Sequence, residues 1–543
     1  MNSDSKQEFV LDISTEGKIP HNYAELFSTI AEKSKGTFNQ IIEELNQSQK
    51  NDPMWMFSSS SNRNPHVSSS FFHCCCLQLI EEIDLSLVKR IIVSNHHMKG
   101  LVNQICKSKS YNPVIVVTKT KLKFRMLLEV IIKLFIPYLL VNFFKKKEKL
   151  NQTITLVDTF LLPNQIEKDR YYSGLTEHLL DNPKIYFCPS FIGYKSIKEL
   201  ILLCYKATRS KRNFLFKEHY ISFSKSLGYV IKILLYKPKI GDVYFYKYNV
   251  SKIILEDHYS FKGIYSHIGA WNNYLFFQAL SKENIRIKTA IDWYENQQVD
   301  KGWNKGLRTF YPEARIKGYI GFAECDMYLC TKRIKSETEY TPYEFMFIGS
   351  HFRNSYNYGD DISSLCPAFR NQSIHEYVEK DSNTDGILVC LPLYTSYSVI
   401  ILKMLDALPH SIQNKIIIKK HPLSISKESL ISACGGLNEM QWKDDDFFTL
   451  LSQCKVFISS ASSTTLDAVL LNKIVFQVGI AALPYNFIPT HFLNKNYFWV
   501  YDHTQLEDYL SRIKELETSK LEVENISDYY LKPTKELYND FIS

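Results

Sequence analysis

The chain has 543 residues, of which 45% are hydrophobic and 22% charged, and it carries a net charge of +8 at neutral pH. That length exceeds what one core organises and favours two or three domains, while the composition excludes an intrinsically disordered chain. The basic excess is mild, with no arginine-rich run and no interleaving of basic and aromatic residues, so nucleic acid is not an expected partner. An acidic substrate or an anionic membrane surface fits the charge equally well. Twelve cysteines include the run Cys74, Cys75, Cys76 and no CxxC pair, which favours a reducing, cytoplasmic setting. The opening MNSDSKQEFVLD is acidic and lacks the apolar core of a secretory signal.

Residues 1–75 are polar and helix-leaning, irregular around 58–70, and form an N-terminal extension. Short β-branched runs follow at 90–94 (RIIVS) and 113–118 (PVIVVT), then at 153–160 and 184–189, each flanked by helix-like stretches. This is the pattern of buried parallel strands, and it predicts a first α/β domain over 76–340. Two basic amphipathic insertions interrupt it, at about 121–149 and 224–240. The first contains 126–144 (MLLEVIIKLFIPYLLVNFF), framed by Lys121, Lys123 and Arg125 and by Lys145, Lys146 and Lys147. Glu129, Lys133 and Pro137 leave its uncharged run short of the roughly 20 residues that span a bilayer. The second, 227–236 (LGYVIKILLY), precedes Lys237 and Lys239. Either segment can lie in the headgroup plane of a cytoplasmic leaflet or be a buried helix with solvated basic ends.

A polar linker is expected over 341–385, with one strand-like run at 344–348. From 386 to 510 the rhythm becomes regular. Strands at 386–391 (GILVCL), 415–419 (KIIIK), 455–459 (KVFIS) and 473–478 (KIVFQV) alternate with helices near 396–408, 445–454 and 464–471. Repeated β-α of this kind predicts a second, doubly wound Rossmann-like domain, and 511–543 form a helical tail. The fold class is therefore α/β, with two Rossmann-like domains facing each other across a cleft.

Ligands bind such sheets at the carboxyl ends of the strands. One loop there, Lys419-Lys420-His421-Pro422, follows KIIIK and places two cations and an imidazole at a strand end, with Pro422 fixing the turn. A second, Ser459-Ser460-Ala461-Ser462-Ser463-Thr464-Thr465, runs from strand KVFIS into a helix that contains Asp467. Small hydroxylated residues at a helix start bring backbone N–H groups, hydroxyls and the helix dipole together on an anion, and phosphate is the natural guest. Simple capping accounts for one hydroxyl and not for six in seven positions.

The pair KKHP and, some forty residues on, SSASSTTLDAVLLNKIVFQ resembles bacterial surface-polysaccharide glycosyltransferases of the GT-B fold, most of all the Kdo and sialic acid transferases. The resemblance covers about 385–510. It implies a CMP-linked acidic sugar as donor, bound between two Rossmann-like domains, and a surface-glycan or lipid-linked acceptor, such as capsule or lipopolysaccharide. It also implies that His421 assists departure of the phosphate while Lys420, Pro422, Ser459, Ser460, Ser462, Ser463, Thr464 and Thr465 bind the nucleotide and phosphate. Asp467 stands where relatives often carry a Glu, facing the ribose or buttressing the loop. In the first half, IDWYENQ (291–297), KGWNKGLR (301–308) and KGYIGF (317–322) look like a stretch of surface-carbohydrate biosynthesis proteins. There Asp292 and Glu295 end the strand that starts at 286 and are candidate general bases, with Glu256-Asp257-His258, after a strand at 252–255, in reserve.

The one DxD-like run, Asp444-Asp445-Asp446, stands at a helix start where the dipole accounts for it, and no HExxH, Walker A or GxGxxG motif is present, so neither a catalytic metal nor a resident cofactor is expected. Two other readings fit the same loops: a CDP-glycerol-type glycerophosphotransferase, and a non-catalytic glycan- or nucleotide-binding subunit of polysaccharide assembly.

Overall fold

The fold is described from a computed structural model, over residues 9–50, 52–118, 123–150, 153–163, 165–167, 169–179, 184–377, 385–422, 424–435, 440–460, 462–480, 483–519 and 525–543. Lys121 lies outside these residues, as do Ala461 and residues 378–384 of the expected linker. The side chains of Lys123 and Arg125 are likewise not described.

Three parallel sheets carry the molecule. The first joins β1 (Phe9–Asp12), β2 (Val88–Val93) and β3 (Val114–Val117), with Leu11 opposite Ile91 and Ile91 opposite Ile115. Helices α1 (Ala24–Ser48), α2 (Ser70–Glu82) and α3 (His96–Ser108) cover it. The expected extension thus supplies an edge strand of this sheet, and the polar stretch 58–64 is buried. Its serines are satisfied by backbone, as in Ser59 Oγ to Asp257 O at 2.6 Å and Ser60 Oγ to Ile254 O at 2.8 Å.

After α4 (Lys123–Phe144) comes the second sheet, built from β4 (Thr153–Leu161), β5 (Ile185–Phe191), β6 (Arg286–Trp293), β7 (Arg315–Ile320), β8 (Glu344–Phe347) and β9 (Ser363–Leu365) in the order β9-β8-β7-β6-β4-β5. A parallel bridge from Phe187 to Phe214 extends it past β5. Counted with that bridge, the strands run 3-2-1-4-5-6-7, a Rossmann-like succession whose switch point lies between β4 and β6. Helices α5 (Ile197–Thr208), α6 (Phe223–Leu235), α7 (Phe261–Lys282) and α8 (Gln298–Phe310) flank this sheet. Much of the stretch expected as linker belongs here, because β8 and β9 are its last two strands. Segment 252–255 is not a strand. It lies in the helix Ser251–His258, whose buried Ile253, Ile254, Asp257 and His258 recur with helical spacing.

The third sheet takes β10 (Gly386–Cys390), β11 (Ile416–Lys419), β12 (Gln441–Trp442), β13 (Cys454–Ser459), β14 (Ile474–Val478) and β15 (Tyr497–Val500) in the order β12-β11-β10-β13-β14-β15. That is 3-2-1-4-5-6, with Val389 opposite both Ile418 and Ile458. Its core strands are buried on both faces, as all-parallel sheets require, and α9 (Thr395–Asp406) and α10 (Thr464–Leu470) follow β10 and β13. The chain then returns to the second sheet: Leu531 N donates to Ile348 O at 2.6 Å. Helix α11 (Lys535–Ile542) docks there, with Phe541 5.3 Å from Tyr319 and Ser543 O accepting from Thr289 Oγ1 at 3.0 Å. No helix among the described residues is long and apolar enough to cross a membrane.

A buried ionic network welds the first sheet's layer to the second. Glu337 pairs with Arg63 at 2.7 Å and with Lys301 of α8 at 2.9 Å, all three enclosed. Arg63 also donates to Cys330 O at 3.3 Å, Lys332 O at 2.6 Å and Asn39 Oδ1 at 3.1 Å. The two cations hold the Glu337 carboxyl down at about 2 despite its burial. Removing Glu337 strands two buried charges, so Glu337→Ala is expected to cost about 3–5 kcal/mol in urea unfolding. Because the folded value lies below the ordinary 4.5, the contribution is present above pH 4.5 and lost as pH falls towards 2. Acid titration of the wild type should therefore show a stability loss that Glu337→Gln lacks.

Candidate functional site

The third sheet divides between β10 and β13, and the loops leaving those strands face the second sheet. Ser459 Oγ donates to Cys390 O at 2.9 Å and ties the two strand ends together. Beside them, Lys419 is turned away, its Nζ on Asp444 O at 3.3 Å, which leaves half-buried Lys420 and His421 at the cleft. His421 O accepts from Ser424 N at 3.0 Å and Ser424 Oγ at 2.8 Å, closing the turn that Pro422 begins. Burial, then Arg170 and Lys420, lower the His421 pKa, so its imidazole is neutral at pH 7.

The Ser/Thr loop is more self-contained than its composition suggests. Ser462 Oγ meets Thr464 Oγ1 at 2.8 Å, and the fully buried Thr465 donates to Ser462 O at 2.6 Å. Ser460 lines a small pocket with Tyr397, Gln477 and Tyr485, while Ser463 opens the seven-residue α10 without a side-chain cap. Asp467, in α10, is buried against the other domain, accepting from Asn371 Nδ2 at 3.3 Å, and burial lifts its carboxyl to about 6.

The opposing wall comes from the second sheet. Past β4, Asp169 organises the loop: Oδ1 accepts from Tyr171 N at 2.8 Å and Tyr172 N at 3.2 Å, and Oδ2 from Thr159 Oγ1 and Arg212 Nη2, both at 2.7 Å. The loop presents Arg170, which acts electrostatically on His421 across the cleft. Arg370, on the 3-10 helix Phe369–Glu376, is near enough to Arg170 to help depress its pKa, after burial, and it also acts on Glu295 and Asp467. The two arginines repel, and with Lys420 they form a cationic cluster beside neutral His421 that is suited to phosphate or carboxylate oxygens.

The two carboxylates expected at the end of β6 separate. Asp292 is enclosed, with Oδ2 accepting from Asn304 Nδ2 at 2.6 Å, and burial with neighbouring Asp300 and Asp158 pushes its carboxyl well above the usual range. Glu295 is half-buried and lies near enough to Arg370 to feel its charge. It accepts from Trp293 Nε1 at 2.8 Å, and burial raises its pKa. Asp257, held in reserve, is saturated by Ser68 Oγ, Ser69 Oγ, Ser70 Oγ and Ser70 N at 2.6–2.9 Å and anchors the start of α2.

One carboxylate had no signal in the sequence. A cavity of about 690 Å³ lies between the first sheet's loops and the start of α9, lined by Glu16, His66, Lys262, Tyr394 and Tyr397. His66 stacks on Tyr485, 4.3 Å between centroids and 13° between planes, and burial lowers its pKa to about 4. Burial lifts Glu16 to about 7, opposed by Lys262. Arg170 and Arg370 were missed as well. Arg170 follows a strand end, the one place where a search was warranted, whereas Arg370 lies in the stretch expected as linker.

No protein-family model and no curated protein matches this chain. Among solved structures it is similar to the UDP-GlcNAc 2-epimerase of Neisseria meningitidis bound to UDP-GlcNAc, at 9% identity over 72% of this chain and 98% of that one, TM-score 0.40. It is also similar to the trehalose 6-phosphate synthase of Burkholderia multivorans (9%, 72% and 97%, TM-score 0.37) and to the wall teichoic acid polymerase TagF (9%, 77% and 95%, TM-score 0.35). At such scores the two-domain architecture rests on the strand orders given above.

If the cationic cluster binds anions, Arg170→Ala should weaken CDP or pyrophosphate binding roughly tenfold or more at unchanged melting temperature, since a hydrogen bond to a charged group contributes about 1.5–3 kcal/mol. Thr465→Val should instead lower the melting temperature and leave affinity alone. Calorimetric titration of both variants decides, and equal affinity in Arg170→Ala would remove the site.

Proposed function

We propose that this chain is a glycosyltransferase that moves a sugar from a nucleotide-activated donor, with a CMP-linked acidic sugar preferred, to a glycan or lipid-linked acceptor. The observation that carries the reading is the meeting of Arg170 and Arg370 from one Rossmann-like domain with Lys420 and His421 from the other. The donor brings two anionic groups, its phosphate and the carboxylate of an acidic sugar, and these cations offset both. In the reaction the anomeric carbon–phosphate oxygen bond breaks and the carbon–acceptor oxygen bond forms. Negative charge grows on the departing CMP, where fixed cations stabilise it more than in the ground state. Neutral His421 supplies an N–H to the leaving oxygen. The acceptor hydroxyl loses its proton to Glu295, which lies near Arg370 and whose burial favours taking a proton.

A second reading favours Glu16 as the base, because it borders the open cavity with a pKa of about 7. A second donor reading is a CDP-alditol such as CDP-glycerol, whose diphosphate would engage the same cations. Transfer assays with CMP-sugars against CDP-glycerol, and thermal shifts with CMP, CDP, UDP and GDP, separate these donors; a ligand that binds only the folded state raises apparent stability.

A general base contributes about 10²–10⁴-fold, so Glu295→Gln should lower turnover by that factor while nucleotide affinity survives. Asp292→Asn should chiefly change stability. Should Glu16→Gln abolish turnover and remove a rise in rate through pH 7 while Glu295→Gln stays active, the base is Glu16. The sign is fixed: ionised Glu16 is the competent form, so rate climbs with pH, and its contribution to stability falls as pH rises from 4.5 past 7.

The lipid-linked acceptor is supported by an apolar face shared by α4, α5 and α6. Phe143 is 82% exposed and Leu235 72%, and Leu139, Ile201, Leu202 and Ile231 are exposed with them. Of the lysines after α4, Lys145 pairs with Glu148 at 3.0 Å and Lys147 with Glu283, which weakens their claim as lipid contacts. The apolar residues are therefore the better test of a peripheral inner-leaflet location. Phe143→Ser with Leu235→Ser should reduce flotation with anionic liposomes at least tenfold, each large apolar side chain contributing about 1.5–3 kcal/mol when buried. Wild-type protein that stays free of such liposomes would end this part of the reading.

A further inference from the structure

A second cavity, of about 300 Å³, lies far from the Ser/Thr loop, at the carboxyl ends of β4 and β5 beside the second sheet's switch point. Helices α4 and α6 enclose it from outside and α7 from below, through Leu134, Tyr138, Phe223 and Ser266 among others. Its lining sets the carboxylates Asp158 and Glu218 beside Lys133 and Lys217. Asp158 is buried, its Oδ1 makes no hydrogen bond, and the nearest cation, Lys217 Nζ, stands 3.9 Å away. Glu218 lines the same space, and its Oε2 is buried and unpartnered. Lys217 is committed elsewhere, to Asn273 Oδ1 at 2.7 Å and Ser190 Oγ at 3.1 Å. An unmade hydrogen bond to a buried charged oxygen is costly, and both carboxylates border this one cavity, so a ligand that brings donors is favoured there.

We propose that this cavity binds the hydroxyl-rich, uncharged headgroup of the acceptor, a sugar or polyol, with its alkyl chain running out between α4 and α6. The chemistry weighs against charged rivals. Two carboxylates, Asp158 and Glu218, stand in the lining with two lysines, Lys133 and Lys217, so a ligand charged in either sense meets like charge as well as opposite. Hydroxyl groups donate to Asp158 and Glu218, accept from the amides and serines of the lining, and present C–H faces to Phe160, Tyr138 and Phe223. Burial raises both carboxyls, Asp158 to about 6, in keeping with partners that carry no formal charge. The cavity neighbours the loop that carries Arg170: the Phe160 ring packs 5.3 Å from that of Tyr171, the next residue. The exposed apolar side chains of α4 and α6 flank its outer side and suit an attached chain.

The role as acceptor site rests on the glycosyltransferase reading, but headgroup binding does not, and it is measured without donor. The probes are octyl β-glucoside below its micellar concentration, 1-O-octylglycerol, methyl β-glucoside and octyl phosphate, added to the full chain and followed by saturation-transfer NMR. We expect one or both octyl polyols to bind, methyl β-glucoside to compete at tenfold or more higher concentration, and octyl phosphate to fail. Ser266→Phe, which fills the cavity, and Asp158→Asn should each lower polyol binding at least tenfold. The Asp158 variant decides alone if the other does not fold. Equal competition by methyl β-glucoside would assign the site to free sugars instead of a lipid headgroup. Binding of octyl phosphate as strong as that of the polyols, binding unchanged in both variants, or no polyol binding overturns the proposal. CDP thermal shifts in the same samples should be unaltered by either variant, and their absence in the wild type would sink the nucleotide site alone.

Discussion

Glu337, held between Arg63 and Lys301, fixes more than its own position. Three charges that have left water keep their place only while every partner is present, because the desolvation cost of each is repaid by the other two and by the backbone carbonyls around Arg63. The same carboxylate accepts from Asn296 Nδ2 at 2.8 Å, and Asn296 sits in the left-handed region with φ of +53°, an uncommon conformation that Asn tolerates better than most residues. The neighbour of Asn296 is Glu295. Asp300 completes the arrangement by accepting from Glu295 N and Gln297 N, both at 2.9 Å, as the cap of α8. The backbone that carries Glu295 to the cleft is thus set by an ionic network on its inner side and a helix cap on the other.

That rigidity suits the electrostatics of the cleft. Arg170 and Arg370 are fixed by different devices, the first through the Asp169 loop and the second through a 3-10 helix anchored to the returning chain by Ala368 N on Leu531 O at 2.9 Å. These devices fix the backbone at each arginine, while the Arg170 side chain reaches solvent. Like charges held near one another in a partly dry cleft store unfavourable energy that an anion releases, and that is how a site becomes selective for charge before any part of a ligand is recognised. Burial first, and then the same positive charge, keep His421 neutral.

The second half of the chain was legible because its physics is local. Strands buried on both faces must be continuous apolar runs, and KIIIK, KVFIS and KIVFQV can scarcely be anything else beside helices of the observed length. The loops that follow them were located for the same reason. What those loops do was less legible: six hydroxylated residues in seven positions suggest an outward-facing anion nest, yet Ser459, Ser462 and Thr465 spend hydroxyls on the protein itself. Local pattern also misassigned Ile253-Ile254, which are β-branched but helical, since a neighbouring layer buries that helix side. Arg170 and Arg370 lie 200 positions apart, and only tertiary structure brings them together. A chain read one window at a time holds no trace of that meeting.

The return of the chain to the second sheet alters how the two Rossmann-like bodies can move. They are connected by two covalent crossings, once between residues 377 and 385 and again between 519 and 525, the second secured by α11 beneath Tyr319. Two rigid bodies on one tether can swivel about any axis through it. Here the two bodies also share one apolar core, to which Leu388, Phe457 and Leu466 contribute from one side and Val157, Tyr319 and Phe369 from the other. The orientation in which Lys420 and His421 meet Arg170 is then set by that shared core and by the double connection together.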